Sequence, residues 1–288
     1  MNANVAAPVS AETTVPPRDL YPQGEAFSPV EVIPGPADRG ILILCDHARN
    51  DVPAEYGTLG LPAGEFERHI GYDIGAEGVT RGLAKKLGAP AVLSLFSRLL
   101  IDPNRGEDDP TLVMALSDGT VVPGNHPIDG AEIERRLNLY HRPYHDAVER
   151  QVAAMVASGT VPIVVAMHSF TPFWKGVPRP WHIAMLTDVD KRVNGRIIEI
   201  MERDDVLSVG DNEPYDGALR GDTMYRHATR RGLPQALVEV RQDLIATPEG
   251  QMEWVERLGD ALLEIDAEPD MHRREWIGSR TGDVERIE

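Results

Sequence analysis

Two histidines stand just beyond short apolar runs. His47 follows Ile41-Leu42-Ile43-Leu44-Cys45 after one aspartate, and His168 follows Val161-Pro162-Ile163-Val164-Val165-Ala166-Met167. Continuous apolar runs of this length read as strands buried on both faces of a parallel sheet, and ligands gather at the carboxyl ends of such strands. Two separated histidines, without an HExxH pattern or a Cys cluster, have the chemistry of catalytic-metal ligands that require one carboxylate more. Taken singly, each also fits a loop histidine held by hydrogen bonds. A second apolar run, Ala91 to Phe96, exits into Ser97-Arg98-Leu99-Leu100-Ile101-Asp102-Pro103-Asn104-Arg105. Arg98 and Arg105, with Asn104, offer a grip for a substrate carboxylate or an oxyanion, or else ion pairs with Glu107, Asp108 and Asp109. Glu239 lies inside the apolar strand end Val238-Glu239-Val240-Arg241. Burial there raises a carboxyl pKa towards the range of a general base, whereas a plain ion pair with Arg241 is the alternative.

Two further groups carry weaker chemical signals. His141 and His145 are spaced i, i+4, a helical spacing that can bind metal, but Pro143 lies between them and no Glu follows the first His. A substrate-wall or structural role, shared with Tyr144, is the better reading. Cys45 is two residues from His47, so the pair suggests a metal-independent thiol amidase, while its place at the end of an apolar run suits a small core residue.

The elements that must position these groups follow from the hydrophobic pattern. Strands are expected at 41–45, 91–96, 161–167, 182–186 and 236–240, and helices at 65–87, 130–156, 190–202, 223–230 and 250–265. Strands alternating with helices of this length predict an α/β fold, a single domain with a mixed, mostly parallel central sheet flanked by helices. Seven of the 23 prolines fall within the first 36 residues, where they exclude helix or central-strand hydrogen bonding. The chain therefore divides into a Pro-rich arm (1–38), a catalytic-size domain (39–267) and a charged tail (268–288) with few apolar anchors.

The 288 residues carry 46 Asp and Glu against 29 Lys and Arg, a formal charge of −17. That balance argues against nucleic-acid or acidic-membrane binding, although a local arginine cluster can still select an anionic small molecule. One cysteine excludes an internal disulfide and any Cys-rich metal site. The N-terminus has no basic start followed by an apolar run, and no span approaches 18 apolar residues. A cytoplasmic protein is expected.

Six ordered motifs carry a resemblance: Asp46-His47-Ala48-x-Asn50-x-Val52-Pro53, Tyr72-Asp73-Ile74-Gly75-Ala76, Ser97-Arg98 with Asp102-x-Asn104-Arg105, Tyr140-His141-Arg142-Pro143-Tyr144-His145, Met167-His168-Ser169-Phe170-Thr171-Pro172 and Glu239-Val240-Arg241. Together, from about Gly40 to Ile265, they resemble the N-formylglutamate amidohydrolase family, itself similar to aspartoacylase and the zinc carboxypeptidases. The resemblance implies a phosphorylase/hydrolase-like fold and one Zn²⁺ held by His47, His168 and an acidic residue. Where the carboxypeptidase pattern has a Glu three residues after the first His, this chain has Asn50, so Asp73 is the expected third ligand. It further implies Glu239 as the general base, Arg98 as the group that polarises the scissile carbonyl, and Asn104, Arg105, Tyr144, His145 and Arg241 as substrate contacts. The implied partner is a small anionic N-acyl amino acid, hydrolysed in amino-acid catabolism. A non-catalytic amino-acid-binding protein on the same fold is a further reading, with Phe173, Trp174 and Trp181 shaping a different acyl pocket.

Overall fold

The computed structural model describes residues 27–287; the first 26 residues of the Pro-rich arm lie outside them. The strands are β1 (Val30–Ile33), β2 (Ile41–Cys45), β3 (Ala91–Ser94), β4 (Leu116–Ser117), β5 (Thr120–Val121), β6 (Ile163–Phe170), β7 (Phe173–Trp174), β8 (Val177–Pro178), β9 (Ile183–Leu186), β10 (Val209–Asp211) and β11 (Gln235–Arg241). The helices are α1 (Ala76–Leu87), α2 (Gly130–Arg136), α3 (Arg142–Ala157), α4 (Arg192–Met201), α5 (Thr223–His227), α6 (Gln242–Ile245) and α7 (Pro248–Asp266). Seven strands form one mixed, mostly parallel sheet in the order β1-β3-β2-β6-β11-β9-β10, and β4–β5 and β7–β8 are small separate hairpins. The expected α/β class is observed.

The central strands are the continuous apolar runs. Every residue of β2, β3 and β6 is buried, as a parallel sheet covered on both faces requires. On one face α1, α4 and α7 bury Val79, Leu83, Ile197, Leu258 and Leu262 against the sheet. On the other, α3 contributes Tyr144, Val148, Val152 and Met155. From β2 the chain passes through α1 to β3 on one side, and later returns through α3 to β6 on the other. This reversal opens a crevice at the carboxyl ends of β2 and β6, the place where open α/β sheets bind ligands.

Several elements differ from the sequence expectation. The helix expected over 65–87 is a short 3₁₀ turn at Ala63–Glu67, a loop, and then α1 from Ala76. Gly75 causes the break. Its φ is +83°, a left-handed conformation that glycine adopts freely, and a Cβ there would collide with the Ile245 carbonyl. Asp73 is thereby held outside the helix. The 130–156 helix forms, but with a π-helical turn at Leu137–His141 joining α2 to α3. Strand β6 begins after Pro162 and continues through His168 to Phe170, so His168 lies within the ladder. β1 and β10 had no sequence signal; β1 pairs antiparallel at the sheet edge, where neighbouring prolines are tolerated. β9 runs antiparallel to β11.

The tail is laid along its own chain. The Glu275 amide donates to the Gly232 carbonyl at 2.7 Å, and the Trp276 indole donates to the Arg230 carbonyl at 3.1 Å. Arg280 donates to both Asp216 carboxylate oxygens.

Candidate active site

His47 emerges two residues after the end of β2, His168 lies on β6, and Glu239 occupies the adjacent register position on β11. The parallel pairing of β6 and β11 thus places a carboxylate beside a histidine at the carboxyl end of the sheet. Asp73 arrives from the loop before α1, its amide donating to the His47 carbonyl at 2.9 Å. One ligand atom from each of His47, Asp73 and His168 lies within 4.8 Å of the other two, so the three could hold a metal ion.

Carboxylates orient both rings. Nδ1 of His168 is 2.8 Å from Asp73 Oδ2, and its Nε2 is 3.0 Å from Asp46 Oδ2. Nδ1 of His47 is 3.4 Å from Asp73 Oδ2, and its Nε2 is 2.7 Å from Asp102 Oδ1. Both Nδ1 atoms therefore face Asp73, while both Nε2 atoms are held by a further carboxylate, the arrangement that fixes metal-ligating imidazoles. Asp46 is itself fixed by the Tyr144 hydroxyl at 2.8 Å and the Thr223 hydroxyl at 2.6 Å.

The electrostatics favour a cation at this point. Burial opposes the charge of Asp46, Asp73 and Asp102, yet the facing histidines, and Arg98 in the case of Asp102, hold all three below the usual carboxylate range. Burial would also push the His168 ring towards neutrality, but its bonds to Asp46 and Asp73 outweigh that and raise it. The carboxylates of Asp46, Asp73 and Asp102 outnumber the Arg98 guanidinium and the proton that His168 holds, and a divalent ion held by His47, Asp73 and His168 would take that proton's place against them. The donor set and its surroundings fit a metal.

Glu239 is different. Burial pushes its carboxyl up to about 7, and Oε2 has no hydrogen-bond partner. An unpartnered buried carboxylate oxygen is costly, and here it borders the same cavity as the histidines. That cavity, of about 320 Å³, is also bordered by Arg98, Asn104, Arg105 and Asp73. Arg98 faces Asp102 at 2.8 Å and Asp73 at 3.6 Å, and not Glu107–Asp109; Glu107 pairs with Arg142 and Arg226 instead. Arg105 donates to the Asn104 carbonyl and the Thr111 hydroxyl. Oδ1 of Asn104 accepts from the Thr223 amide.

Other expected positions lie elsewhere. Tyr144 is fully buried on α3 beneath Asp46 and does not border the cavity. His145 is also off the wall: its Nε2 bonds the Pro103 carbonyl and its Nδ1 faces His227. Arg241, the last residue of β11, pairs with Asp243 and bonds the carbonyls of Arg179 and Trp181. All three were expected as substrate contacts, and all three instead hold scaffold, because the helix and strand that carry them turn these side chains away from the crevice. Asn50 donates to the Phe66 carbonyl and Glu67, bracing a loop. Of the aromatics expected at the acyl pocket, Trp174 borders the cavity and Phe173 and Trp181 do not. Cys45 lies wholly in the core under α1, and burial pushes its thiol well up, which removes it as a nucleophile.

The sequence reading assigned no role to Asp46 or Asp102, the partners of the two histidines. Asp46 adjoins His47 in sequence but serves His168, and only the tertiary structure shows that crossing. His69, Tyr215, Asp222 and Gln242 also border the cavity without a sequence signal.

The chain is similar in sequence and fold to known proteins. Gene product Atu2144 of Agrobacterium tumefaciens shares 33% identity over 83% of this chain and 95% of its own, with a TM-score of 0.77. An N-formylglutamate amidohydrolase from Ralstonia eutropha shares the fold at 22% identity, over 83% and 97% of the two chains, with a TM-score of 0.58. No functionally curated protein matches. The sequence model of the N-formylglutamate amidohydrolase family matches residues 39–246, a span that includes both histidine-bearing segments, Asp73, the arginine loop and Glu239. The chain belongs to the N-formylglutamate amidohydrolase family, whose chemistry is hydrolysis of the amide in a formylglutamate-like substrate.

Proposed function

We propose that this chain hydrolyses the amide of an N-formyl or N-acyl amino acid with the help of one divalent metal ion, zinc by its donor set, held by His47, Asp73 and His168. The observation that carries this reading is the convergence of that His-Asp-His cluster with the unpartnered Glu239 oxygen in one cavity. Two imidazoles and a carboxylate are a donor set of catalytic zinc. When bound, such an ion acts as a Lewis acid that polarises a carbonyl and acidifies water to near neutral pH.

The chain's own groups supply the remaining steps. Glu239 takes the proton of the attacking water at Oε2 and returns it to the departing nitrogen. The guanidinium of Arg98 is anchored by Asp102 and Asp73, so it stabilises the oxyanion of the tetrahedral stage without having to reorganise. Arg105 and Asn104 hold the substrate carboxylate.

The test is metal content and hydrolysis of a panel of N-formyl amino acids before and after chelation. About one bound ion per chain, with activity lost on chelation and restored by Zn²⁺, is the expected result. Full activity in a metal-free preparation would overturn the mechanism.

A further inference from the structure

Among the described residues three arginines are buried: Arg136, Arg179 and Arg231. Arg136 faces Glu132 at 2.9 Å, and Arg231 faces Glu149 at 2.7 Å. Arg179 has no carboxylate at ion-pair distance among the described residues. Its Nη1 donates to the hydroxyl and carbonyl of Thr171 at 2.9 and 3.2 Å, and its guanidinium carbon stands 5.0–5.8 Å from the ring centres of Phe170, Trp174 and Tyr215. Ring faces attract a cation but carry no net charge, so a buried guanidinium held in this way keeps a charge that burial opposes and nothing balances. The backbone around it is fixed: the Arg179 amide donates to the Pro172 carbonyl at 2.8 Å, and Arg241 of β11 holds the carbonyls of Arg179 and Trp181.

The residues that surround Arg179 belong to the cavity wall. Phe170, Thr171, Trp174 and Tyr215 all border the cavity that contains the His-Asp-His cluster and Glu239, which puts the guanidinium one layer behind that wall. The wall's own aspartates do not balance it, because Asp118 pairs with Arg68 and Asp216 with Arg280. Tyr215 connects the two layers. Burial, with the negative charges of Glu239 and Asp73, raises its pKa and outweighs the adjacent Arg179, which lowers it, so the phenol keeps its proton and can donate. Tyr215 and Trp174 are 43% and 41% exposed, and a ligand can displace their rings without opening the core. Arg105 comes from a different element: it sits on the loop after β3, its carbonyl bonded to His141, near Asp102 and Asp222.

We propose that Arg179 and the Tyr215 hydroxyl form a second anion subsite, which receives the side-chain carboxylate of a dicarboxylic N-acyl amino acid while Arg105 and Asn104 hold its α-carboxylate. Tyr215 donates to the incoming carboxylate, and Arg179 supplies the counter-charge behind it. The assignment rests on the amidohydrolase reading and names the residues that give it specificity.

The experiment compares N-formyl-L-glutamate with N-formyl-L-glutamine, which differs only in having a carboxamide for the second carboxylate, on the metal-loaded full chain and its Arg179→Met and Tyr215→Phe variants. In the unaltered protein KM should be about tenfold or more lower for the glutamate compound, the margin of one charged hydrogen bond, with kcat similar for the two. Arg179→Met should raise KM for the glutamate compound to that of the glutamine compound and leave the latter unchanged, and Tyr215→Phe should narrow the ratio. Equal KM values in the unaltered protein, or an Arg179→Met variant that weakens both compounds alike, overturn the proposal, since a merely structural role would not separate the pair. If Arg179→Met does not fold, Tyr215→Phe decides, and an unchanged ratio overturns the subsite. If neither compound is hydrolysed, the amidohydrolase reading fails by itself and calorimetric binding of the same pair decides this one: tighter N-formylglutamate in the unaltered protein, with the difference narrowed in Tyr215→Phe, supports it, while equal binding, no binding, or an unchanged difference overturns it.

Discussion

At the guanidinium of Arg98 two carboxylates fix the geometry, whereas Arg105, on the same loop, has none at ion-pair distance among the described residues. An anchored donor suits charge that develops in the reaction, and an uncommitted one suits a carboxylate present from the start. Arg98→Ala should therefore lower kcat by about 10²–10³, and Arg105→Ala should raise KM by about 10–100-fold, the value of a charged hydrogen bond. Steady-state kinetics on the two variants checks this; KM following Arg98 would mean that the roles are exchanged. Asp73 and Asn50 are likewise separable. Asp73→Asn should lose bound metal, since both imidazole Nδ1 atoms face that carboxylate. Asn50→Ala should retain metal and lose about 1 kcal/mol of stability or more, because the Phe66 carbonyl forfeits its donor. Metal analysis with urea unfolding on each variant distinguishes the two, and metal loss in Asn50→Ala would exchange their assignments.

The α2–α3 helix braces the loop that carries Pro103 and Arg105 through its histidines. After the π-helical turn, His141 Nε2 bonds the Arg105 carbonyl at 3.0 Å, and one turn later His145 Nε2 bonds the Pro103 carbonyl at 2.9 Å. His227 of α5 stacks on His145 at 5.2 Å. Both bonds require a proton on Nε2, which a neutral ring can also carry, and burial, outweighing these bonds, lowers all three pKa values, that of His141 to about 4. A histidine depressed in the folded state contributes stability above the unfolded pKa of about 6.5, and loses it as pH falls towards 4. For His141 alone, stability should drop by about 2 kcal/mol between pH 7.5 and 5. Urea unfolding at the two pH values tests this. His141→Gln, which keeps an amide donor near Nε2 without the titration, should show a smaller drop; an unchanged pH dependence would place the acid sensitivity elsewhere.

At the scale of the whole molecule, the tail holds one residue of the cavity wall from outside. Asp216 borders the cavity, and Arg280 holds it from the tail while also bonding Asp188 and the Thr187 carbonyl. The Gly232–Glu275 and Arg230–Trp276 bonds fasten the same tail next to the start of β11. Truncation after Ala267 removes these bonds and the buried Met271 side chain. The melting temperature should fall, by about 2–4 °C for each kcal/mol lost. Arg280→Ala alone removes the exposed Asp216 pair, worth about 0–1 kcal/mol, and the side-chain bonds to the Asp188 and Thr187 carbonyls, so it should lower the melting temperature less than truncation does while raising KM a few-fold through a looser rim. Thermal unfolding and kinetics on both proteins check this, and an unaltered melting temperature in the truncated chain would show that the tail is an appendage.

What the sequence determined by itself was the burial pattern and its chemical termini. The runs at 41–45 and 161–167 are apolar without interruption, a pattern that suits a covered parallel strand, so His47 was legible as a residue just past a strand and His168 as one near a strand end, although β6 runs on through it to Phe170. Glu239, inside a third such run, was legible as a buried carboxylate for the same reason. The tertiary structure decided what these groups meet. The register of β6 against β11 puts Glu239 beside His168, Asp46 crosses to the distant histidine, and Gly75 releases Asp73 from a stretch whose apolar spacing looked helical. Tyr144, His145 and Arg241 carry the same residue types as substrate contacts, yet bond scaffold atoms far from them in sequence. Apolar spacing is a local property of the chain and reports burial; the partner of a buried polar group is chosen among residues brought together only when the sheet is assembled.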